Sequence, residues 1–357
     1  MAKVVVIGGG NAGSIVANRL QNKGIDVTVI EPSDLHLYQP GIIDVAFGEE
    51  REEEIIRPVN QIIKSNIIKD KATKVDIENH SVYTSRGLKI EYDYLVIAAG
   101  AENKKIEGFP QWHSIDGIGG LKEQINKFDG KKIVVGYSGV IKCPAAPFEF
   151  AFFLKQKFPK AEVTLVNPVS QPPDIQKPMA ELLGKRSKEL GINVIRGFKI
   201  KDIDKDSKII YSEDGQNVSY DMALLDTPIR AGQEFENLTD KTGFIPVDKY
   251  TLKYKDYDNV FAVGDITNIM TPPKTGAIAH FGAKIIADNI YADVNGYEKK
   301  KFDGSIFCAV YGGFGKGLLI RTNYEKSYAA GPFSIFYIVK KSFIRLYWNT
   351  LTGNFII

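Results

Sequence analysis

Cysteine is scarce. Cys143 and Cys308 are the only two in 357 residues, which excludes a disulfide scaffold. Charge of one sign is scarce too. Lys and Arg total 46 against 43 Asp and Glu, the net charge is +3, and the charges are dispersed, so nucleic acid is not indicated as a partner. No apolar run reaches the roughly 20 residues of a membrane-spanning helix. No secretory signal is expected, because Met1 leads within two residues into the first apolar strand. What the chain does have is 44% hydrophobic residues, enough at this length for two or three domains with their own cores.

The first apolar run opens a dinucleotide fingerprint, Val4-Val5-Val6-Ile7-Gly8-Gly9-Gly10-Asn11-Ala12-Gly13. Its glycines have separate jobs. Gly8 makes the tight turn, Gly10 lets the backbone approach a pyrophosphate, and Gly13 lets helix and strand pack closely. The following helix, Ser14 to Asn22, turns its N-terminus toward the phosphates. The next strand, Val27 to Ile30, ends at Glu31, eighteen residues after Gly13. A carboxylate there accepts ribose hydroxyls.

The second half repeats this pattern in damaged form, Lys132-Ile133-Val134-Val135-Gly136-Tyr137-Ser138-Gly139-Val140-Ile141. With Gly136 aligned to Gly8, Gly10 becomes Ser138 and Gly13 becomes Ile141. The first change pushes the backbone away from a pyrophosphate, and the second obstructs helix–strand packing. In the next strand, Val163-Thr164-Leu165-Val166-Asn167, the ribose carboxylate is replaced by Asn167. A duplicated unit that binds NAD(P)H poorly is therefore expected. The duplication continues in two strand meanders, Lys74 to Leu88 and Ile203 to Tyr220, the second turning at Asp214-Gly215. Each meander leads into a buried-looking strand, Tyr94 to Gly100 and Met222 to Thr227.

A third nucleotide signal is the short strand Asn259 to Val263, ending in Gly264-Asp265. Asp265 suits a flavin ribityl hydroxyl. Together with the first fingerprint and the Ala98-Ala99-Gly100 strand end, it resembles the two-dinucleotide-fold flavoprotein disulfide reductases over about residues 1–295. The resemblance implies an α/β fold of two Rossmann-like dinucleotide-binding domains in tandem, the second inserted in the first. Residues 1–102 and 227–300 would bind FAD. Residues 103–226 would form the degenerate second domain, and 301–357 a C-terminal membrane-contact or interface region.

Narrower motifs are similar to the sulfide:quinone oxidoreductases and the related flavocytochrome c sulfide dehydrogenases. They are His36-Leu37-Tyr38-Gln39-Pro40-Gly41, Cys143-Pro144-Ala145-Ala146-Pro147-Phe148-Glu149, Pro273-Lys274-Thr275-Gly276 and Phe307-Cys308. This resemblance implies a redox pair of Cys143 and Cys308, a proton-handling acid at Glu149, and a lysine near flavin and quinone at Lys274. It implies FAD contacts from Gly8, Gly10, Asn11, Ala12, Gly13, Glu31, Gln39, Ala99, Gly100, Gly264, Asp265, Lys274 and Thr275. Hydrosulfide would attack a disulfide or polysulfide bridge between the cysteines, and the electrons would pass through FAD to a membrane quinone. Two departures stand out. Many quinone-type relatives carry a third cysteine before Cys143, and this chain does not. Tyr38-Gln39-Pro40 offers no cysteine for a covalent flavin link, so FAD is expected to be noncovalent.

The residues themselves leave alternatives open. Cys143 precedes Pro144 and a helical stretch from Ala145 to Phe158. A helix N-terminus there would lower its pKa. Cys308 lies in an apolar strand, where inert burial is the ordinary case. His280 reads as a structural histidine. An NADH:quinone oxidoreductase would need an intact second nucleotide site. An NAD(P)H-dependent disulfide reductase would usually carry its reactive cysteines early. A noncatalytic flavin carrier and a cytochrome acceptor remain alternatives, no metal site is expected, and homo-oligomerisation is open.

The end of the chain matches neither repeat. Phe333, Ile335, Phe336, Ile338, Val339, Phe343, Ile344, Leu346, Tyr347 and Trp348 crowd around Lys340, Lys341 and Arg345. Apolar residues with interfacial aromatics and basic heads suit a segment lying in a membrane surface, which makes a peripheral (monotopic) membrane protein the expectation. The competing reading is a cap packed on the core or on another subunit.

Overall fold

The structure is a computed structural model that describes residues 2–353. Two parallel sheets organise it, each built from apolar strands covered on both faces, as parallel strands require. The first has the order Val260–Ala262, Tyr94–Ile97, Lys3–Ile7, Asp26–Ile30, Asn66–Ile68, with every neighbour parallel. The second has the order Asn193–Arg196, Glu162–Asn167, Lys132–Tyr137, Met222–Asp226, again parallel throughout. The chain leaves the first sheet and returns to it through adjacent segments, because Glu102–Asn103 pairs antiparallel with Ile229–Arg230.

The duplication reaches fine detail. Each half carries a three-stranded antiparallel meander, Ala72–Asp76 to Lys89–Glu91 and Ile200–Asp204 to Asn217–Ser219. Each meander has a register shift at the same place in its first strand, between Ala72 and Lys74 and between Ile200 and Asp202.

The two strand-to-helix turns differ more than the sequence alignment suggests. After Lys3–Ile7 the helix Asn11–Gln21 begins at once. After Lys132–Tyr137 the chain runs as a loop until the helix Ala146–Lys157. Ile141 therefore faces no helix–strand crossing. The tight turn of the first half is replaced here by a loop, and Cys143 lies on that loop.

The C-terminal part is an antiparallel sheet, Ile306–Tyr311, Gly317–Thr322 and Ser327–Phe333, followed by the helix Ser334–Thr350. This helix is split lengthwise. Ile344, Tyr347 and Trp348 are buried, while Phe333 at its start and Ile335, Ile338, Val339 and Leu346 along it are exposed. Its end docks on the first glycine-turn helix: Asn18 Nδ2 donates to the Leu351 carbonyl at 2.7 Å and Arg19 to that of Gly353 at 3.0 Å. Residues 354–357 of the expected tail lie outside the described residues. Among the described residues, no helix is long and apolar enough to cross a membrane.

Of the expected basic heads, Lys340 is a correction, while Arg345 keeps a side chain 64% exposed. Lys340 is buried against Glu149, and Lys341 and Arg345 pair with Asp44 and Glu50. A buried cation requires a partner, and Glu149 supplies it for Lys340.

Candidate active site

The first glycine turn is built for close approach. Gly8 has φ +98°, and a Cβ on it would sit 2.6 Å from the Ala98 carbonyl oxygen; a Cβ on Gly13 would sit 1.8 Å from that of Gly8. Gly10, at the helix N-terminus, opens onto free space and offers no side-chain cap. Ala12 begins the buried face of that helix. Glu31 braces the turn, its Oε2 accepting from the Gly9 amide at 2.6 Å.

A second helix start converges on the first. Thr275 caps the helix Gly276–Asn295, accepting from the Ile278 amide at 3.2 Å. Asn11 Nδ2 donates to the Gly276 carbonyl at 2.8 Å, and Asn11 Oδ1 lies 3.2 Å from Nδ1 of the buried His280. Ala99 and Gly100 follow the strand Tyr94–Ile97, and Gly264 and Asp265 follow the neighbouring strand Val260–Ala262. Gln39 starts the single turn Gln39–Gly41. Asp265 Oδ1 is buried without a hydrogen-bond partner.

An uncapped helix N-terminus, open space at Gly10 and an orphaned carboxylate oxygen are what a pyrophosphate and a ribityl chain would satisfy. The residues fit the dinucleotide implied by the sequence.

Lys274 is no surface lysine. It is buried, and its Nζ donates to the carbonyls of Asp265 at 2.9 Å and Thr267 at 2.5 Å. Burial pulls its pKa down to about 8, against the opposing pull of Asp265.

The sulfur side lies on other elements. Cys143 from the loop and Cys308 from the strand Ile306–Tyr311 line one largely apolar cavity of about 30 Å³, with Met179 and Thr275 among the other walls. Both are free thiols. The expected acidic thiol at Cys143 is corrected: burial and the nearby Glu149 push it up to about 11. Burial and Cys143 push Cys308 up to about 12. Lys340 is a cation that works against both shifts.

Glu149, one turn into the helix after the loop, is buried rather than exposed. Its Oε1 accepts from the Tyr311 amide at 2.6 Å and from Lys340 Nζ. Lys340 also lies 4.4 Å from the Tyr311 ring centroid. Burial raises the Glu149 pKa, with Lys340 pulling the other way.

Sequence reading missed Lys340, Tyr311, Asp44 and the role of His36. Lys340 carried a signal: Phe336, Ile344 and Tyr347 recur at helical spacing on its own face. His36 joins the first glycine turn to the C-terminal helix, with Nδ1 3.1 Å from the Gly9 carbonyl and Nε2 2.7 Å from the Tyr347 hydroxyl. Burial lowers its pKa to about 4.

The family model of the pyridine nucleotide-disulphide oxidoreductases matches residues 2–282. The mitochondrial sulfide:quinone oxidoreductase of Dictyostelium discoideum is 30% identical, covering 91% of this chain and 78% of the relative. That of Mus musculus is 26% identical, covering 99% and 87%. The X-ray structure of the sulfide:quinone oxidoreductase from Aquifex aeolicus superimposes with a TM-score of 0.87 at 21% identity, covering 99% of this chain and 92% of that one.

Proposed function

The chain belongs to the pyridine nucleotide-disulphide oxidoreductases and, within them, to the sulfide:quinone oxidoreductases, and from that membership we propose that it oxidises sulfide with FAD as cofactor and passes the electrons to a quinone. One observation carries the assignment of residues: Cys143 and Cys308, 165 positions apart, line a single cavity. The reading divides the chain into an FAD-binding part (1–102 and 227–300), a degenerate second nucleotide part (103–226) and a C-terminal part (301–357).

The N-terminus of the helix Asn11–Gln21 would hold the pyrophosphate of FAD, Glu31 a ribose, and Asp265 the ribityl chain. Gln39, Ala99, Gly100 and Thr275 would complete the same lining, and Tyr38-Gln39-Pro40 offers no cysteine for a covalent link. Bound there, FAD would supply a two-electron carrier between the sulfur pair and the quinone.

Hydrosulfide attacks one sulfur of a Cys143–Cys308 disulfide. A new S–S bond forms to the incoming sulfur, the bridge breaks, and the other cysteine leaves as a thiolate. Both thiols are otherwise held protonated at neutral pH, so the thiolate depends on the Lys340 charge nearby. Glu149 exchanges protons beside the pair. Lys274, held at its own loop carbonyls, sets positive charge beside Asp265 and favours reduced, more anionic groups there.

The exposed apolar residues along Ser334–Thr350 support contact with a membrane surface, which would bring the quinone to the site. The test is anaerobic stopped-flow of the yellow protein. Sulfide is expected to bleach the flavin and a short-chain quinone to restore it. Bleaching by NADH but not by sulfide would overturn the reading.

A further inference from the structure

Resting on that reading, the reaction needs a proton from outside the site. Oxidation of one hydrosulfide ion to sulfane-level sulfur gives up two electrons and one proton, while a quinone takes two electrons and two protons. Each turnover, HS⁻ + Q + H⁺ → S⁰ + QH₂, therefore draws one proton from solvent. Glu149 and Lys340, the proton-bearing pair beside the cysteines, have side chains only 7% and 8% exposed. They need a path to water.

We infer that Tyr311, Asp44 and Lys341 form the path by which this proton enters. Tyr311 bridges two buried carboxylates. Its amide donates to Glu149 at 2.6 Å, and its hydroxyl, at the far end of the ring, donates to Asp44 Oδ1 at 2.6 Å. The adjacent lysines of the C-terminal helix divide between the same two acids. Lys340 reaches Glu149, and Lys341 reaches Asp44 Oδ1 at 3.0 Å.

Asp44 is 1% exposed, yet its Oδ2 is buried with no partner. Such an oxygen is costly unless a water or a proton visits it. Lys341 carries the line outward. Its side chain is 23% exposed, and it contacts the Glu49 carbonyl at 3.1 Å and the Glu49 carboxylate at 3.9 Å. Burial and Asp44 keep the Tyr311 hydroxyl protonated, so it passes a proton by donating one while accepting another. The path calls for a bridging water between that hydroxyl and Lys340, whose Nζ lies 4.4 Å from the Tyr311 ring centroid. The ionisable groups that interact with Glu149 or share its site are Lys340, Tyr311, Asp44, Tyr38, Cys143 and Cys308.

The test uses the FAD-loaded full chain, Asp44→Asn and Tyr311→Phe, and a pH-indicator dye in anaerobic stopped-flow. The sulfide-reduced protein is mixed with a short-chain quinone at pH 8. Wild type is expected to take up one proton per flavin in step with recolouring. Each variant is expected to slow uptake and recolouring together by tenfold or more, against threefold or less for bleaching by sulfide. Added formate, a small proton carrier, is expected to restore at least half of the lost rate. Wild-type uptake in both variants would overturn the path, and so would slowing that formate does not rescue. Failure of the functional reading looks different: wild type itself would not be bleached by sulfide. Should Asp44→Asn fail to retain flavin, Tyr311→Phe, which keeps the ring under Lys340 and the amide to Glu149, decides alone.

Discussion

The two strand-to-helix turns of the duplicated halves make the sharpest contrast in the molecule. In the first, the Gly9 amide donates to Glu31 and the helix starts at Asn11. At the equivalent place in the second, the Tyr137 hydroxyl donates to Asn167 at 2.8 Å, and the helix waits until Ala146. The sheets beneath the turns are alike, down to the register shifts of their meanders. The lesson is that the parallel sheet fixes where chemistry happens, beyond the carboxyl ends of its strands. The turn fixes which chemistry it is. Replacing three glycine-rich residues by a loop exchanges a phosphate cradle for a cysteine.

The strongest way to break this contrast is to remove the cysteines. Cys143→Ser or Cys308→Ser is expected to slow sulfide-driven bleaching by about 10³-fold or more, with flavin content unchanged, read by stopped-flow absorbance. Normal rates in both would return the second turn to a merely structural role.

Next comes Glu149→Gln, which strands Lys340 as a buried charge. It is expected to cost about 3–5 kcal/mol, and pairing it with Lys340→Met should recover most of that; urea midpoints of the three variants measure both. Gly13→Ala, with its Cβ 1.8 Å from the Gly8 oxygen, should cost about 1–3 kcal/mol or more and yield protein poor in FAD. Ser138→Ala in the second turn should leave the flavin spectrum and FAD content as they are.

Acid should loosen the first turn selectively. His36 is held neutral with a pKa of about 4, against 6.5 in the unfolded chain. The unfolded state then binds more protons, so stability is full above pH 6.5 and falls as pH drops toward 4, by about 2 kcal/mol at pH 5. His280, on the same turn through Asn11 and likewise lowered to about 4, adds in the same direction. His36→Gln should flatten this acid limb in urea titrations at pH 7 and 5; an unchanged limb would assign it to other groups. The smallest effect is expected from Asn167→Glu. Restoring a carboxylate should not let NADH bleach the flavin, because Tyr137 and the loop still occupy the turn.

Much of this was legible in the residues. Gly8, Gly10, Gly13 and Glu31 announce their geometry because a tight turn is a local property of a few consecutive residues. The meanders and the second sheet follow from alternation and repetition. The start of the helix after the second loop was legible to within one residue, Ala145 against the observed Ala146. The consequence was not drawn: Ser138 and Ile141 were read as damage to a tight turn that the loop before Ala146 has replaced. The acidity of Cys143 was read with the wrong sign because a helix N-terminus is visible in sequence and the burial that outweighs it is not.

The sequence by itself determined two βαβ frameworks, the nucleotide turn, the degenerate second copy and the membership of Cys143 and Cys308 in a recognisable pattern. These rest on contacts within a few residues or on repetition along the chain. Only the tertiary structure decided that the two cysteines share a cavity and that Lys340 belongs to Glu149 rather than to a membrane surface. It alone joined Asp44 to the same cluster through Tyr311. Such pairings are set by how the loop, the C-terminal sheet and the last helix pack together. The cost of leaving a charge or polar group unpartnered in that interior selects the partners, and no local pattern records it.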